Sequence, residues 1–407
     1  MTSTRTAYRP PAPPRARRYS RFVYWRRRAL VLLSVVTIVV IGFLGITLAF
    51  ALNNPSYGVS FQARFAEWGR QHGLGAEVTW AEAQYYRLNP ARLGGAPNLS
   101  AFNAPGSTVT KLTSGLHLPA PKMLSTPAGT PLPGEGVWHI VGRTSANGTP
   151  TTYEAFVRPD ALHTSYVVGV VWMDPYLLKA QLYSGSTIPG GGPFPFTAPI
   201  TPAASTTLVD AFNAGFRMSD ANGGYYTNNK MIIPLRKGAA SVVVYKDGSM
   251  TVANWGRDVT MTNQIASVRQ NLDLIVDHGK AVPGLTNANL LHWGKTLGGA
   301  YNVWRSGLGV TSNGALIYVG GPSLSISDLA NVLVRAGAVR AMELDINTDW
   351  VQFSSFSGPL KTAINGANGL SLLNGMAGGP GRYFASWWTR DFYTMSLRAT
   401  ALKTSGG

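Results

Sequence analysis

Residues 29–52, ALVLLSVVTIVVIGFLGITLAFAL, run for 24 positions without a charge. A helix that is apolar all round must be buried, in protein or in lipid. At about 1.5 Å per residue the run spans roughly 36 Å, enough for a tilted crossing of a hydrocarbon core. Arg26, Arg27 and Arg28 precede it, and Asn53-Asn54-Pro55 follow. The positive-inside rule predicts a cytoplasmic N-terminus and residues 53–407 outside, with Tyr24 and Trp25 as interfacial anchors. Ala49-Phe50-Ala51 has the form of a signal cleavage site, but the run exceeds the usual signal core of about 7–15 residues. The expectation is an uncleaved single-pass anchor in the plasma membrane carrying an extracytoplasmic domain.

The charge distribution fits that topology. The chain holds 35 basic and 18 acidic residues, a net charge of +17. Nine arginines and no acid lie in residues 1–28, leaving 26 basic against 18 acidic residues in the remainder. Much of the excess is therefore a topology signal in a basic, Pro-rich tail expected to be disordered, and nucleic acid is not expected as a partner. There is no cysteine, which excludes disulfides, thiolate metal sites and cysteine nucleophiles. The six histidines are scattered, without HExxH. No P-loop, Rossmann fingerprint or GxSxG elbow is present. No cofactor is expected; a divalent cation is compatible with the chain, but no ligand spacing demands one.

The spacing predicts two short helices over 61–72 and 79–88, then an irregular Gly-, Pro-, Ser- and Thr-rich stretch over 94–136. From about Val137 the character changes. Residues 166–173, YVVGVVWM, read as a strand buried on both faces. Asp247-Gly248 and Asn313-Gly314 each sit between apolar runs and predict hairpins with type I′ turns. Residues 262–278 place Ile265, Val268, Leu272 and Ile275 on one helical stripe stopped by Gly279, with Asp258 as a candidate cap. Residues 327–336 predict a second helix, with Ser325 and Asp328 as a capping box and Gly337 as its stop. The class is α+β, a mixed β-sheet with hairpins and packed helices, preceded by one transmembrane helix. The expected organisation is a tail (1–28), a span (29–52), membrane-proximal helices and linker (53–136) and a large domain (137–407).

Two segments carry candidate chemistry. In VRAMELDINTDW (339–350), strand alternation points Val339, Ala341, Glu343 and Asp345 one way and Arg340, Met342 and Leu344 the other. Acids are scarce in this chain, and two at one strand end would repel and raise a pKa. A neutral carboxylic acid beside an ionised one suits general acid and base work on a glycosidic bond. The competing reading is structural, with Glu343 bound to an arginine. In DAFNAGFRMSDANGGYY (210–226), Asn213, Asn222 and Tyr225 offer hydrogen bonds and a ring to a sugar. Gly223 and Gly224 offer backbone N–H groups, although such a turn is also common as plain structure. Arg305, opening a strand before Ser306-Gly307, suits a phosphate or a carboxylate such as Glu343. Arg257-Asp258 forms a second Arg–acid pair.

FNAGF, NGGYY, the KDG hairpin, the Arg-initiated GLGVTSNGALIYV and AGAVRAMELD, in that order, resemble the phosphodiester glycosidase family over roughly residues 205–395. The resemblance implies a phosphodiester glycosidase-like domain that hydrolyses or recognises a sugar-1-phosphodiester in an envelope glycan or related polymer. It puts Asn213, Gly223, Gly224, Arg305, Glu343 and Asp345 at motif positions. The family usually continues after its Asp with a Gly-rich loop. Here Ile346-Asn347-Thr348-Asp349 follow, and Asn347 adds a polar group where the phosphate would sit. The expected hydrolase places Glu343 and Asp345 in catalysis, with the remaining named residues binding substrate. The alternatives are a non-catalytic glycan- or phosphate-binding envelope protein and a structural partner in a membrane complex acting through the 57–92 helices.

Overall fold

The structure is a computed structural model that describes residues 21–102, 116–286, 290–294 and 301–404. The expected tail at 1–20 and part of the expected irregular stretch, 103–115, lie outside the described residues. Residues up to Asn53 and residues from Asn54 on form separate bodies. The first is one helix, α1 (Arg21–Asn53). It is the one helix among the described residues long and apolar enough to cross a membrane, with mean hydropathy 2.9 in its most apolar stretch. It begins at Arg21, so residues 21–28 extend the helix instead of belonging to a disordered tail. Arg28 donates to the Tyr24 hydroxyl at 3.1 Å, one turn away, and lies 4.5 Å over its ring.

The second body has two helices, α2 (Phe61–Gln71) and α3 (Gly75–Leu88), then β1 (His139–Val141), β2 (Thr152–Val157), β3 (Val168–Met173) and β4 (Leu178–Tyr183). After α4 (Pro202–Ser205) come β5 (Leu208–Asn213), β6 (Tyr225–Thr227), β7 (Lys230–Ile233), β8 (Ala240–Tyr245), β9 (Met250–Asn254), β10 (Ile265–Gln270), β11 (Leu274–Asp277) and β12 (Lys280–Ala281). The chain continues with α5 (Leu290–Trp293), β13 (Val303–Thr311), β14 (Leu316–Leu324), α6 (Ile326–Arg335), β15 (Ala338–Ile346), β16 (Phe353–Phe356), β17 (Gly369–Ser371) and β18 (Phe392–Leu397). These strands build an eight-stranded sheet, β1-β2-β3-β14-β13-β15-β11-β12, and two five-stranded sheets, β7-β6-β10-β8-β9 and β17-β16-β5-β18-β4. The α+β class holds. Named strands pair antiparallel, and parallel pairing is confined to the single bridges Ser184–Thr197 and Trp255–Val259.

The central core lies between one face of the large sheet and both smaller sheets. It joins Val171, Met173, Leu308, Tyr318, Met342 and Leu344 with Leu182, Phe212, Tyr393, Val242 and Val252. The other face packs Val168, Val170, Trp172, Val319 and Ala341 against Leu329, Val332 and Leu333 of α6. Strand β3 is thus buried on both sides, as its unbroken apolar run predicts. Helix α6 forms where expected, with reciprocal Ser325 and Asp328 bonds at its start and Gly337 at φ +94° just beyond its end. Burying each of its large apolar side chains contributes about 1.5–3 kcal/mol.

Two expectations need correction. Residues 262–278 are not a helix but β10 and β11. A bulge between Ile265 and Ser267 sets an extra residue against β8. Ile265 and Val268, three apart, therefore face the same cluster with Val243 and Trp255. That spacing imitates a helical stripe. Leu272 then reverses to φ +58°, and Leu272 and Ile275 enter two other cores. With no helix there, Asp258 caps nothing; it accepts from the Asn254 N–H at 2.9 Å and pairs with Arg257 at 2.7 Å. The hairpin turns also differ. Tyr245 N–H bonds Ser249 O at 2.9 Å, and Thr311 N–H bonds Ala315 O at 2.9 Å. Only Gly248 (φ +81°) and Gly314 (φ +90°) are left-handed. These are three-residue loops closed by a left-handed glycine, not two-residue type I′ turns.

Candidate functional site

The ends of β5, β13 and β15 meet. Strand β13 is the neighbour of β15, with Gly307 opposite Glu343 and Arg305 opposite Ile346 across a bulge. Ser306 knots the three together. Its Oγ accepts from the Asn213 side-chain amide at 3.1 Å and from the Asp345 N–H at 3.2 Å, and donates to the Asp345 carbonyl at 3.1 Å. The Asn213 carbonyl oxygen accepts from the Tyr318 hydroxyl at 2.9 Å and from the Gln352 N–H at 3.1 Å. The Asn213 side chain is thereby held by three partners and is buried.

Arg305 is also buried. It donates to Glu343 Oε1 at 2.5 Å, to the Leu324 carbonyl at 2.9 Å and to the Tyr301 carbonyl at 3.5 Å. The acid partner foreseen for it is present, and little of the guanidinium is left for a phosphate. Glu343 is wholly buried, and its second oxygen, Oε2, has no hydrogen-bond partner among the described residues. Burial pushes its carboxyl up to about 7, opposed by Arg305 and assisted by Asp345. Burial likewise raises Asp345 to about 6, opposed first by Arg390 and then by Arg269 and Arg217. Two neighbouring acids that both titrate near neutrality can keep one proton between them.

Several residues essential to this arrangement were not singled out by the sequence. Arg390 Nη1 lies 3.9 Å from Asp345 Oδ2 yet makes no hydrogen bond among the described residues, and the guanidinium sits 4.2 Å over the Trp350 ring. Asn271 donates to the carbonyls of Glu343 and Leu344 at 2.9 and 3.0 Å, while its own oxygen accepts from the Phe216 N–H at 3.1 Å. Arg269 pairs with Asp391 at 2.8 Å in a buried bridge 122 residues apart in the chain. The available signal was WWTRD at 387–391, an Arg-Asp step before an apolar strand that mirrors WGRD at 255–258.

The NGG turn serves packing. A Cβ on Gly223 would lie 2.6 Å from Gln270 Cβ, and one on Gly224 would lie 2.2 Å from the Pro234 carbonyl oxygen. The Gly224 N–H already donates to Gln270 Oε1 at 2.8 Å. The Asn222 carbonyl accepts from Arg236 at 2.7 Å. Tyr225 faces the central core, its hydroxyl 3.4 Å from Ser184 Oγ, so its ring offers no platform to a sugar. Asn347 occupies the left-handed region at φ +84°, and its side chain accepts from the Asp349 N–H at 3.2 Å. It supplies, at the position after the acid pair, the backbone geometry a glycine would give.

The described residues pack closely around the acid pair. A Cβ at Gly294 would stand 3.2 Å from Glu343 Oε2 and 2.7 Å from Phe216. The adjoining α5 is fastened by His292 to Asp273 at 2.6 Å and by Trp293 to the Gly284 carbonyl at 3.1 Å. From the other side, Glu67 of α2 pairs with Arg217, and Tyr86 of α3 packs on the Phe216–Ile346 cluster. Among the described residues no group of three or more His, Asp or Glu side chains is placed to hold a metal ion.

No family model matches the chain. No curated protein matches it either. Among solved structures, the catalytic domain of zebrafish N-acetylglucosamine-1-phosphodiester alpha-N-acetylglucosaminidase, auto-inhibited by its pro-peptide, is similar at 12% identity and TM-score 0.38, over 70% of this chain and 96% of that one. A hypothetical protein from Synechocystis is similar at 13% identity and TM-score 0.31, over 62% and 63% of the two chains. A putative exported protein from Burkholderia pseudomallei is similar at 13% identity and TM-score 0.25, over 62% and 75%.

Proposed function

We propose that this chain is a membrane-anchored extracytoplasmic hydrolase of a sugar-1-phosphodiester, in an envelope glycan or a related polymer. One observation carries the reading: Glu343 and Asp345 are buried neighbours raised to about 7 and about 6, with one oxygen of Glu343 and one nitrogen of Arg390 left without partners among the described residues. The pair shares a proton. One carboxyl gives it to the leaving phosphate oxygen as the bond from the anomeric carbon breaks. The other takes a proton from the water that attacks that carbon. Arg390, with its Nη1 uncommitted, replaces Arg305 as the group that meets the phosphate; Arg305 instead positions Glu343. Asn213 acts through Ser306 on the placement of Asp345. In this reading α1 spans the plasma membrane with Arg26–Arg28 on the cytoplasmic side.

The test is release of free sugar from synthetic sugar-1-phosphodiesters by the full chain in detergent. Turnover that vanishes in both Glu343→Gln and Asp345→Asn supports the proposal. Turnover that survives both overturns it.

The close packing around the acid pair favours a second reading, a non-catalytic glycan- or phosphate-binding envelope protein. Glu343 is wholly buried and Asp345 is 4% exposed, and Gly294 packs beside Glu343 Oε2, so a substrate must displace packed groups to reach the pair. Saturable binding of the same diesters with no sugar released would select this reading.

A further inference from the structure

A second groove lies on the outer face of the sheet that contributes Asn213. Its volume is about 490 Å³. In β4 the alternation sends Leu178, Ala180 and Leu182 into the central core and turns Lys179, Gln181 and Tyr183 to the other face, where all three line the groove. Phe196 and Lys246 line it as well, and buried Thr394 lies beside Gln181 in the next strand. Tyr183 and Phe196 meet edge to face with centroids 5.6 Å apart, and Phe196 keeps 38% of its surface open. Its backbone is pinned, because Ser184 N–H bonds the Phe196 carbonyl at 2.9 Å and Ala198 N–H bonds the Ser184 carbonyl at 2.9 Å.

The cationic rim is also fixed in place. Gly248, at φ +81°, packs so tightly on Lys179 that a Cβ there would lie 2.6 Å from Lys179 Cβ. The Ala180 N–H bonds the Gly248 carbonyl at 2.7 Å. Arg398 donates to the Asp247 carbonyl at 2.7 Å and to the Pro175 carbonyl at 2.9 Å, fastening the turn that carries Lys246. Asp247 is the one acid among the lining residues, and its Oδ1 accepts from the N–H and hydroxyl of Ser249 at 2.9 and 2.6 Å. Among the described residues neither Lys179 nor Lys246 forms a salt bridge with an acid.

A partly open aromatic ring, an amide and two ammonium groups without a salt bridge among the described residues, on a rigid frame, match one ligand class. Rings stack on the apolar face of a pyranose, the amide meets its hydroxyls, and the ammonium groups meet carboxylates or phosphates along a chain. We propose that this groove is a non-catalytic binding site for an acidic oligosaccharide. The proposal does not depend on hydrolysis at Glu343 and Asp345.

The experiment is calorimetric titration of the full chain in detergent with an oligogalacturonate and with its neutral methyl ester. The acid form should bind at least about tenfold tighter than the ester, with an affinity that falls as salt rises. Lys179→Gln with Lys246→Gln should abolish that preference and leave the melting temperature unchanged. Phe196→Ala should weaken both ligands. Glu343→Gln should bind as the unaltered protein does, which separates this groove from the acid pair. Equal affinity for acid and ester, no binding of either, a preference that persists in the double variant, or binding lost in Glu343→Gln overturns the proposal.

Discussion

The molecule buries two pairs of carboxyl groups, and they are furnished differently. Glu343 and Asp345 sit among arginines: Arg305 contacts one, Arg390 approaches the other, and Arg269 and Arg217 act at longer range. Glu154 of β2 and Asp210 of β5 face the central core with no arginine or lysine paired to them among the described residues; His139 stands opposite Glu154 across the β1–β2 pair. Among the described residues Asp210 accepts from the Thr152 hydroxyl, at 2.7 Å, and its other oxygen has no partner. Burial raises Asp210 to about 8 and Glu154 to about 7. The lesson concerns what burial alone decides. Both pairs are pushed toward the neutral form, but only the first has guanidinium groups beside it to offset the charge once a proton leaves. Chemistry that passes a proton back and forth needs both states; a core that only needs to stay intact needs the neutral one.

The largest expected effect separates the pairs by function. Glu343→Gln should lower turnover of a sugar-1-phosphodiester by about 10²–10⁴-fold, the usual worth of a general acid or base. Glu154→Gln should leave turnover unchanged. Equal losses in a sugar-release assay would erase the distinction.

Next in size is the removal of a cation. Arg305→Met leaves Glu343 buried without its partner and should cost about 3–5 kcal/mol in denaturant unfolding near pH 8. The cost should shrink toward pH 5, because Glu343 can then fold in its neutral form. A cost independent of pH would mean that Glu343 is not the group left stranded.

The pair without arginine partners makes a prediction of opposite origin. The Asp210 carboxyl titrates higher in the fold than its ordinary value near 3.8, so the folded state retains a proton that the unfolded chain has released. Its contribution is intact below about pH 4 and drains as pH rises toward about 8, at roughly 1.4 kcal/mol per pH unit. Asp210→Asn should flatten that part of the stability profile, measured by melting across pH. A slope that is the same in Asp210→Asn would place its cause elsewhere.

The smallest effect lies just past the acid pair. Asn347→Ala should cost about 1–2 kcal/mol, because alanine resists the left-handed backbone at φ +84°. Asn347→Gly should be nearly silent in stability. A large loss of turnover in Asn347→Gly would show that the side chain itself serves the reaction.

Much of this architecture was legible in the residues, and the failures have identifiable causes. The capping box at Ser325 and Asp328 and the unbroken run of β3 are local signals, and local signals sufficed for α6 and for β3. The acid pair stood out because Glu is rare here and because strand alternation was enough to set Glu343 and Asp345 side by side. The 262–278 segment misled because one bulge converts a two-residue period into a three-residue one. The NGG turn misled because Gly223 and Gly224 are needed by Gln270 and Pro234, and those contacts depend on which strand lies alongside. Arg390 and Asn271 were invisible for the same reason: each reaches β15 only after the sheets have assembled.

The knot at Ser306 has a further chemical meaning. A hydroxyl oxygen offers one proton and two lone pairs. Here the proton goes to the Asp345 carbonyl, and the lone pairs go to the Asn213 amide and the Asp345 N–H. Its valence for hydrogen bonding is full. A serine whose proton is given to a backbone carbonyl is held in place by these bonds, so the residue beside the acid pair that most resembles a covalent attacker serves as a rivet.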